Sequence, residues 1–199
     1  MMFDTTLIIN LAKHAGAIIA AAFILLAISP VQEYGLEKRS HVNRAFLILF
    51  FGFFGIMGTY SGNQIFDSFA NLRAMSVITA GLYAGPLVGT GAGFIAALHR
   101  ILIDPWGFST IPCALATFLE GTIAGLLSKR LGRYNMDWKV ASLLCFVGET
   151  AHMGMVLAMS RPFADAVALV EIIALPMMFA NPVGTALFIH LLRVLFAKK

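Results

Sequence analysis

Long uninterrupted apolar runs, separated by short polar segments, dominate the hydrophobic pattern of this chain. A helix that crosses a bilayer needs about 20 predominantly apolar residues. Because the runs are continuous and not alternating, they predict membrane-spanning helices and not the strands of a barrel. We predict five clear transmembrane helices, at residues 6–28, 45–61, 113–129, 140–160 and 166–196. The last is expected to be interrupted by Pro176 and by the Asn181-Pro182 pair.

A glycine-rich stretch with a proline in its middle lies between the second and third of these helices. Proline is tolerated at the first position of a helix but breaks the hydrogen-bond ladder inside one. Residues 68–84 and 86–101 therefore predict a pair of short helices that meet at Gly85-Pro86. Together the elements predict an all-α integral membrane fold in which residues 1–199 form a single domain.

The composition supports a membrane protein and excludes several other classes. Hydrophobic residues make up 59% of the chain and charged residues only 12%, with a mean hydropathy of +0.85, whereas soluble domains carry about 25% charged residues. The net charge of +4 reflects basic loops and gives no reason to expect nucleic-acid binding. Cys113 and Cys145 lack metal-ligand spacing, and Cys145 is expected to be a buried free thiol. No metal and no cofactor are expected.

The lysines and arginines predict an orientation, because they are enriched in cytoplasmic loops. If the N-terminus lies outside and the helix pair crosses inward and back, three segments face the cytoplasm. Ten of the 14 lysines and arginines then lie inside: Lys38, Arg39, Arg44, Lys129, Arg130, Arg133, Lys139, Arg193, Lys198 and Lys199. Reading residues 73–99 as one crossing would place the KRLGR loop outside. The paired arrangement is favoured, with a cytoplasmic C-terminus.

Two other arginines, Arg73 and Arg100, bracket the helix pair and are expected near the outer membrane face. An arginine at the bilayer centre costs about 2.5–3.5 kcal/mol on insertion scales, so such residues usually face a protein interior or a cavity. Each could instead reach the interface, or pair with Asp67 or Asp104. Two arginines around one glycine-rich pair favour a shared anion site, because the planar guanidinium matches a carboxylate.

The glycines of the helix pair predict close helix packing. Gly81, Gly85 and Gly89 repeat every four residues, as do Gly89 and Gly93, and Gly91 lies between them. Small residues at such spacing let helix backbones approach within a membrane. The pattern is not a phosphate-binding loop, because no strand precedes it.

Polar residues on the later helices form two further groups. Cys113, Thr117 and Glu120 share one helix face by their spacing of i, i+4 and i+7. Glu120 is an intramembrane acid, and the sequence leaves open whether it is a protonated or hydrogen-bonded structural group or a coupling element. Glu149 with His152, together with Glu171, predicts hydrogen bonds between the last two helices and not catalysis.

Enzyme signatures are missing from the sequence. It contains no H-E-x-x-H, G-x-S-x-G or Walker motif, and neither a phospho-acceptor helix nor an ATP-binding domain. The chain alone is therefore not expected to be an enzyme.

Several separated segments resemble the sensor region of the LytS-type five-transmembrane receptors. These are DSFANLRAMSVITAGLYAGPLVGTGAGFIAALHR, CALATFLEGTIAGLL, MSRPFADAVALV and ALPMMFANPVGTALF. The resemblance implies a membrane input domain of a bacterial histidine kinase, followed in the longer protein by a cytoplasmic GAF-like and kinase portion. One branch of that family is associated with sensing extracellular pyruvate and another with cell-wall turnover and membrane state. The hairpin AGLYAGPLVGTGAG also resembles substrate-binding subunits of energy-coupling-factor transporters, which implies a six-helix core with an extra N-terminal helix.

The resemblance assigns roles to particular positions. Arg73 of ANLR, Arg100 of LHR and Cys113 are the implied carboxylate-binding residues, with Thr117 and Asn71 beside them. Two features depart from the pyruvate-type pattern. The loop between Arg100 and Cys113 is longer, and the position three after the cysteine is alanine where a small hydroxyl is common. A small carboxylate is therefore better supported than pyruvate itself.

The sequence thus predicts a sensor of a small extracellular carboxylate in the bacterial cytoplasmic (inner) membrane. Its expected partners are the bilayer, a cytoplasmic kinase region or response-regulator pathway, and a second copy in a homodimer. Glu120, Glu149 and His152 are the candidate coupling residues. Two alternatives stay open: a substrate-binding subunit of an energy-coupling-factor transporter, and a sensor of membrane potential or lipid state.

Overall fold

The computed structural model describes residues 5–27, 41–66, 68–132 and 137–196. These residues contain seven helices and one small sheet. The helices are α1 (Thr5–Ala27), α2 (His41–Tyr60), α3 (Arg73–Ala84), α4 (Pro86–Ile103), α5 (Thr110–Leu131), α6 (Trp138–Met159) and α7 (Phe163–Phe196). Strands β1 (Asn63–Ile65) and β2 (Ser68–Ala70) pair antiparallel between α2 and α3. Some charged residues used above lie outside the described residues: Lys38, Arg39, Asp67, Arg133, Lys198 and Lys199.

Six of the described helices, all except α3, are long and apolar enough to cross a membrane. Helix α3 has 12 residues and is about 18 Å long at 1.5 Å per residue, shorter than a hydrocarbon core of about 30 Å. The predicted all-α membrane fold is confirmed. The second helix of the predicted short pair, α4, is itself long enough to cross.

The helix pair breaks at the predicted position. Gly85 has φ of 94°, a left-handed conformation that glycine adopts without a steric penalty. Pro86 then occupies the first turn of α4, where its missing N–H is not needed. The expected helical start at residue 68 is wrong, because Ser68–Ala70 pairs with Asn63–Ile65 and α3 begins only at Arg73.

Helix α3 lies at the centre of the fold. It packs against α2, α4, α5, α6 and α7, and ten of its 12 residues are buried. Side-chain hydroxyls fix it to two neighbours: Ser76 donates to the carbonyl of Phe51 at 2.8 Å, and Ser128 donates to the carbonyl of Leu82 at 2.7 Å. Any group on α3 is therefore held against several helices at once.

Glycines let the backbones of α3, α4 and α5 touch, as predicted. A Cβ added at Gly89 would collide with the carbonyl oxygen of Gly121 and approach Gly81 Cα to 2.6 Å. A Cβ at Gly125 would collide with Pro86 Cα. Close approach of this kind brings the middle and second half of α5 against the helix pair.

Helix α7 runs unbroken from Phe163 to Phe196 through two prolines, so the predicted interruption of the last span is wrong. Membrane helices tolerate proline because neighbouring groups satisfy the freed backbone. Asn181 reaches across to the start of α3. Its Nδ2 donates to the Asn71 carbonyl at 2.9 Å, and its Oδ1 accepts from the Met75 N–H at 3.1 Å.

Candidate ligand site

Arg73 is the first residue of α3, and the asparagine two positions earlier fixes its backbone. Asn71 Oδ1 accepts a hydrogen bond from the Arg73 N–H at 3.1 Å, and Asn71 Nδ2 donates to the Phe69 carbonyl at 3.0 Å. Both polar groups of Asn71 are thus engaged with backbone atoms. Asn71, which the sequence predicts to bind the ligand, therefore has the contacts of a residue that positions Arg73.

The guanidinium of Arg73 is buried, with only 1% of the residue exposed. Its Nε donates to Thr117 Oγ1 at 3.3 Å and its Nη1 to Thr59 Oγ1 at 3.2 Å, while Nη2 has no partner. Among the described residues, no carboxylate forms a salt bridge with Arg73. Within the described residues, a full positive charge is therefore held by two neutral hydroxyls, and both N–H groups of Nη2 are left without an acceptor.

Arg100, near the end of α4, is equally buried but differently partnered. Its Nη1 forms a salt bridge with Asp104 Oδ2 at 3.0 Å, and its Nη2 donates to Ser109 Oγ at 3.5 Å. The guanidinium also lies over the Phe69 ring, 5.3 Å from its centroid. Within the described part of the chain, Nε is the one nitrogen of this guanidinium without a hydrogen-bond partner. The expected pairing with Asp104 is present, so Arg100 is charge-compensated within the protein.

The structure brings the two arginines and Cys113 together. The start of α3, the end of α4 and the start of α5 lie at the same end of the helix bundle, because α3 to α5 are successive antiparallel neighbours. Arg73 and Arg100 are close enough to repel each other electrostatically, and Cys113 lies within the field of both. Thr117 joins them through its contact with Arg73. Four of the five residues expected to bind the ligand thus converge through their side chains.

Cys113 lies in the first turn of α5 and is 1% exposed. Its thiol is adjacent to the imidazole of His152 on α6. Both cysteines are buried free thiols, as predicted for Cys145. Cys113 therefore connects the arginine end of the bundle with the polar residues of α6.

A second polar centre lies between α5 and α6. Glu120, Glu149 and His152 are all at least nine-tenths buried, and one ligating atom from each lies within 4.8 Å of the others. Neither carboxylate and neither imidazole nitrogen has a hydrogen-bond partner among the described residues. His152 pairs with Glu149 on its own helix at 3.5 Å and lies against the Cys113 thiol on α5, so hydrogen bonds from Glu149 and His152 to α7 stay a prediction. Glu171 on α7 is exposed and does not join them.

A cavity of about 190 Å³ opens between α5 and α6, beside this centre. Its wall is mostly aliphatic, and Glu120 and His152 line it together with residues such as Ile78, Leu119 and Met155. The expected pocket, between the helix pair and the Cys113 helix, would be lined by Arg73 and Arg100. Neither arginine lines this cavity.

Sequence reasoning missed several contact residues. Thr59, Phe69 and Ser109 touch the arginines, and Asn181 holds the start of α3. Only Asn181 carried a signal, because an amide side chain within an apolar span must find polar partners. The other three are common residue types at element ends, and their spacing from the arginines has no periodicity.

Comparison with known proteins identifies the family. The family model described as the 5TMR of 5TMR-LYT matches residues 16–194. The sensor histidine kinase BtsS of Escherichia coli (strain K12) is 35% identical over 206 residues, which cover 99% of this chain and 36% of that protein. The sensor protein LytS of Bacillus subtilis (strain 168) is 30% identical over 211 residues, covering 97% of this chain and 35% of that protein. No solved structure is significantly similar.

A third relative agrees with these two. The sensor histidine kinase YpdA of Escherichia coli (strain K12) is 30% identical over 170 residues, which cover 84% of this chain and 30% of that protein. The chain spans about a third of the length of the curated relatives it matches. Its multi-helix membrane architecture, its match to the family model and its similarity to sensor histidine kinases agree. The chain belongs to the LytS-type five-transmembrane receptor family and is a membrane sensor domain of that family.

Proposed function

We propose that this domain detects a small extracellular carboxylate of the pyruvate type, bound at the end of the bundle where Arg73, Arg100 and Cys113 meet. The bound state would be passed to a cytoplasmic histidine kinase region of the longer protein. In this proposal the domain lies in the bacterial inner membrane, with the ligand site outward and the end of α7 in the cytoplasm. The expected positions of the basic loops support that orientation.

The observation that carries the proposal is that Arg73 forms no salt bridge with any described residue. A guanidinium cannot shed its proton inside a protein, and an unpaired buried charge costs about 3–5 kcal/mol when its partner is removed. The two threonine hydroxyls that contact Arg73 are neutral, and its Nη2 has no partner. A carboxylate ligand would supply both the missing charge and the missing acceptor.

The charge balance of this end of the bundle supports an anion. Arg73 and Arg100 lie close together, but only Asp104 forms a salt bridge with either of them among the described residues. One monovalent anion would make this group neutral. The Cys113 thiol, a weak donor, lies in the same electrostatic field, and in this proposal it contacts the uncharged part of such a ligand.

The size of the ligand limits its affinity. A ligand with about six heavy atoms has a ceiling of roughly 9 kcal/mol, at about 1.5 kcal/mol per atom. Dissociation constants from micromolar to millimolar are therefore expected. A sensor in this range would follow metabolite concentrations and would not retain a tightly bound molecule.

A physical route leads from the site to the end of the chain. Asn181 bonds the Asn71 carbonyl and the Met75 N–H, which flank Arg73 in sequence. A ligand that pulls on Arg73 would therefore act on α7 through these two hydrogen bonds. Helix α7 is 34 residues long and continues toward the C-terminus, so it is the element that we propose to carry the signal.

Isothermal titration calorimetry on the purified protein tests the site. Pyruvate, lactate and acetate are the probes, and pyruvamide is the uncharged control of nearly the same shape. We expect pyruvate to bind and pyruvamide not to bind. Arg73→Ala should weaken binding roughly ten- to hundredfold, the loss expected for a charge-assisted hydrogen bond. Arg161→Ala, which removes an exposed arginine at the same end of the bundle, should bind like the parent.

A second pair of variants protects the test against misfolding. Arg73→Lys keeps the charge and loses the planar fork, and Arg100→Lys does the same at the other arginine. Thermal unfolding shows which variants remain folded. If folded Arg73 and Arg100 variants bind pyruvate as the parent does, or if pyruvamide competes equally, the proposed carboxylate site is wrong.

A further inference from the structure

The polar centre between α5 and α6 has the composition of a metal site. Glu149 and His152 form a Glu-x-x-His pair at i and i+3 on α6, and Glu120 faces them from α5. In helical bundles, an inward-facing Glu-x-x-His motif together with a glutamate from a neighbouring helix is a known ligand arrangement for transition metals. The sequence alone gave no metal prediction, because Glu120 is 29 positions before Glu149.

The hydrogen bonding of this centre is incomplete. Both oxygens of Glu120, both oxygens of Glu149 and both nitrogens of His152 lack hydrogen-bond partners among the described residues. The shortest contact among them is 3.5 Å, between His152 Nδ1 and Glu149 Oε2. Buried polar groups in native proteins are nearly always satisfied by protein, water or an ion. Glu149 and His152 form only this long ion pair, the Cys113 thiol lies beside the imidazole, and Glu120 has no partner among the described residues. Three side chains that converge with so little bonding between them indicate a shared partner.

The structure assigns a divalent transition-metal ion of the Zn²⁺ or Mn²⁺ class to Glu120, Glu149 and His152. The centre of an equilateral triangle with sides of 4.8 Å is about 2.8 Å from each corner, against about 2.0–2.2 Å for Zn²⁺ bonds to carboxylate and imidazole. Each side chain would therefore move by less than about 1 Å. One imidazole with two carboxylates favours a first-row transition metal over Mg²⁺ or Ca²⁺, which prefer oxygen ligands alone.

Charge and access fit the same assignment. Two ionised carboxylates carry the opposite charge to a divalent cation, so the filled centre would be neutral within the apolar bundle. The cavity of about 190 Å³ is lined by Glu120 and His152 and has room for an ion with water in its open coordination positions. Gly148 contributes to this space: a Cβ there would lie 3.5 Å from Glu120 Cγ. The bound ion would join α5 to α6 and does not depend on the proposed carboxylate.

Metal content of the purified protein tests the assignment. The protein is prepared with an affinity tag that contains no histidine, loaded with Zn²⁺, dialysed, and measured by mass spectrometry of the metal. We expect about one equivalent per chain. Glu149→Gln and His152→Gln should weaken Zn²⁺ binding at least tenfold, since losing even an outer partner of a metal ligand costs about that much. The matched controls are Glu171→Gln and His190→Gln, which alter exposed residues of the same types on α7.

A spectroscopic measurement on the unsubstituted protein avoids reliance on variants that fold poorly. Co²⁺ bound by one imidazole and two carboxylates should give a visible absorption spectrum that differs from that of aqueous Co²⁺ and disappears when Zn²⁺ is added. Arg73→Ala should retain this spectrum, which separates the metal site from the carboxylate site. An aqueous Co²⁺ spectrum, less than about a tenth of an equivalent of Zn²⁺ after dialysis, or equal binding by Glu149→Gln and Glu171→Gln would overturn the assignment.

Discussion

Two arginines at the same end of the bundle are buried to the same degree but have different partners. Arg100 has a carboxylate at 3.0 Å and an aromatic ring beneath it. Arg73 has two threonine hydroxyls and an unpartnered Nη2. A buried charge needs a partner wherever it occurs. Among the described residues, a carboxylate pairs with Arg100 and none pairs with Arg73.

Under the proposed function, this difference separates a structural arginine from one that is available to a ligand. Asp104 fixes Arg100 within its own helix end at i+4, and Arg100 then supports the β-hairpin through Phe69. Arg73 lies at the start of the central helix, where its backbone is fixed by Asn71 and its neighbours by Asn181. The position of Arg73 is therefore fixed, while its positive charge forms no salt bridge with a described residue. We infer that Arg73 provides most of the ligand selectivity and that Arg100 adds to the positive field.

The largest expected effect comes from removing the partner of the paired arginine. Asp104→Ala would leave Arg100 as a second unpaired buried charge and should lower the free energy of unfolding by about 3 kcal/mol. Asp104→Asn keeps the shape and should lose less. Chemical denaturation in detergent measures both, and Asp165→Asn, at an exposed position, is the control. If Asp104→Ala is as stable as the parent, the salt bridge with Asp104 does not stabilise the buried charge of Arg100.

In the absence of ligand, replacing each arginine by methionine should have different effects on the free energy of unfolding. Arg73→Met removes an uncompensated charge and should leave the free energy of unfolding unchanged or raise it, whereas Arg100→Met leaves Asp104 unpaired and should lower it. The two variants should differ by about 2 kcal/mol. Unfolding of both proteins under the same conditions makes the comparison. Equal destabilisation by both substitutions would show that Arg73 is as structural as Arg100.

The hydroxyl that holds Arg73 Nε predicts a smaller effect. Thr117→Val removes this acceptor and should lower the free energy of unfolding by about 1 kcal/mol. Thr122→Val is a close control, because the hydroxyls of Thr117 and Thr122 each donate to the carbonyl four residues earlier, at 2.9 and 2.8 Å. Only Thr117 contacts Arg73. If the two variants lose the same stability, the contact with Arg73 contributes nothing.

Residue patterns predicted the parts of this structure that follow from local rules. The break at Gly85-Pro86 follows from the backbone chemistry of two residues, and the close approach at Gly89 follows from the lack of a side chain. The predicted interruption of α7 was wrong because proline breaks helices in soluble proteins, and the prediction applied that rule to a membrane helix. Within a bundle, neighbouring helices satisfy the freed groups.

Contacts between distant segments could not be predicted from spacing. Arg73 and Thr117 are 44 positions apart, and Asn181 is 110 positions from Asn71. The burial of Glu149 and the exposure of Glu171 depend on which face of each helix turns inward. Both helices are apolar on nearly all sides, so their hydrophobic pattern does not mark that face. The candidate metal centre therefore became visible only from the packing of α5 against α6.

The aromatic contact beneath Arg100 predicts the smallest effect. Phe69→Leu keeps the apolar packing but removes the ring face, and should lower the free energy of unfolding by about 0.5–1 kcal/mol. Phe66→Leu alters an exposed phenylalanine in the same hairpin and is the control. In the Arg100→Met background the effect of Phe69→Leu should vanish, because no cation remains over the ring. An equal loss in both backgrounds would mean that Phe69 supports the hairpin by packing alone, and Asp104 would then be the main partner that distinguishes Arg100 from Arg73.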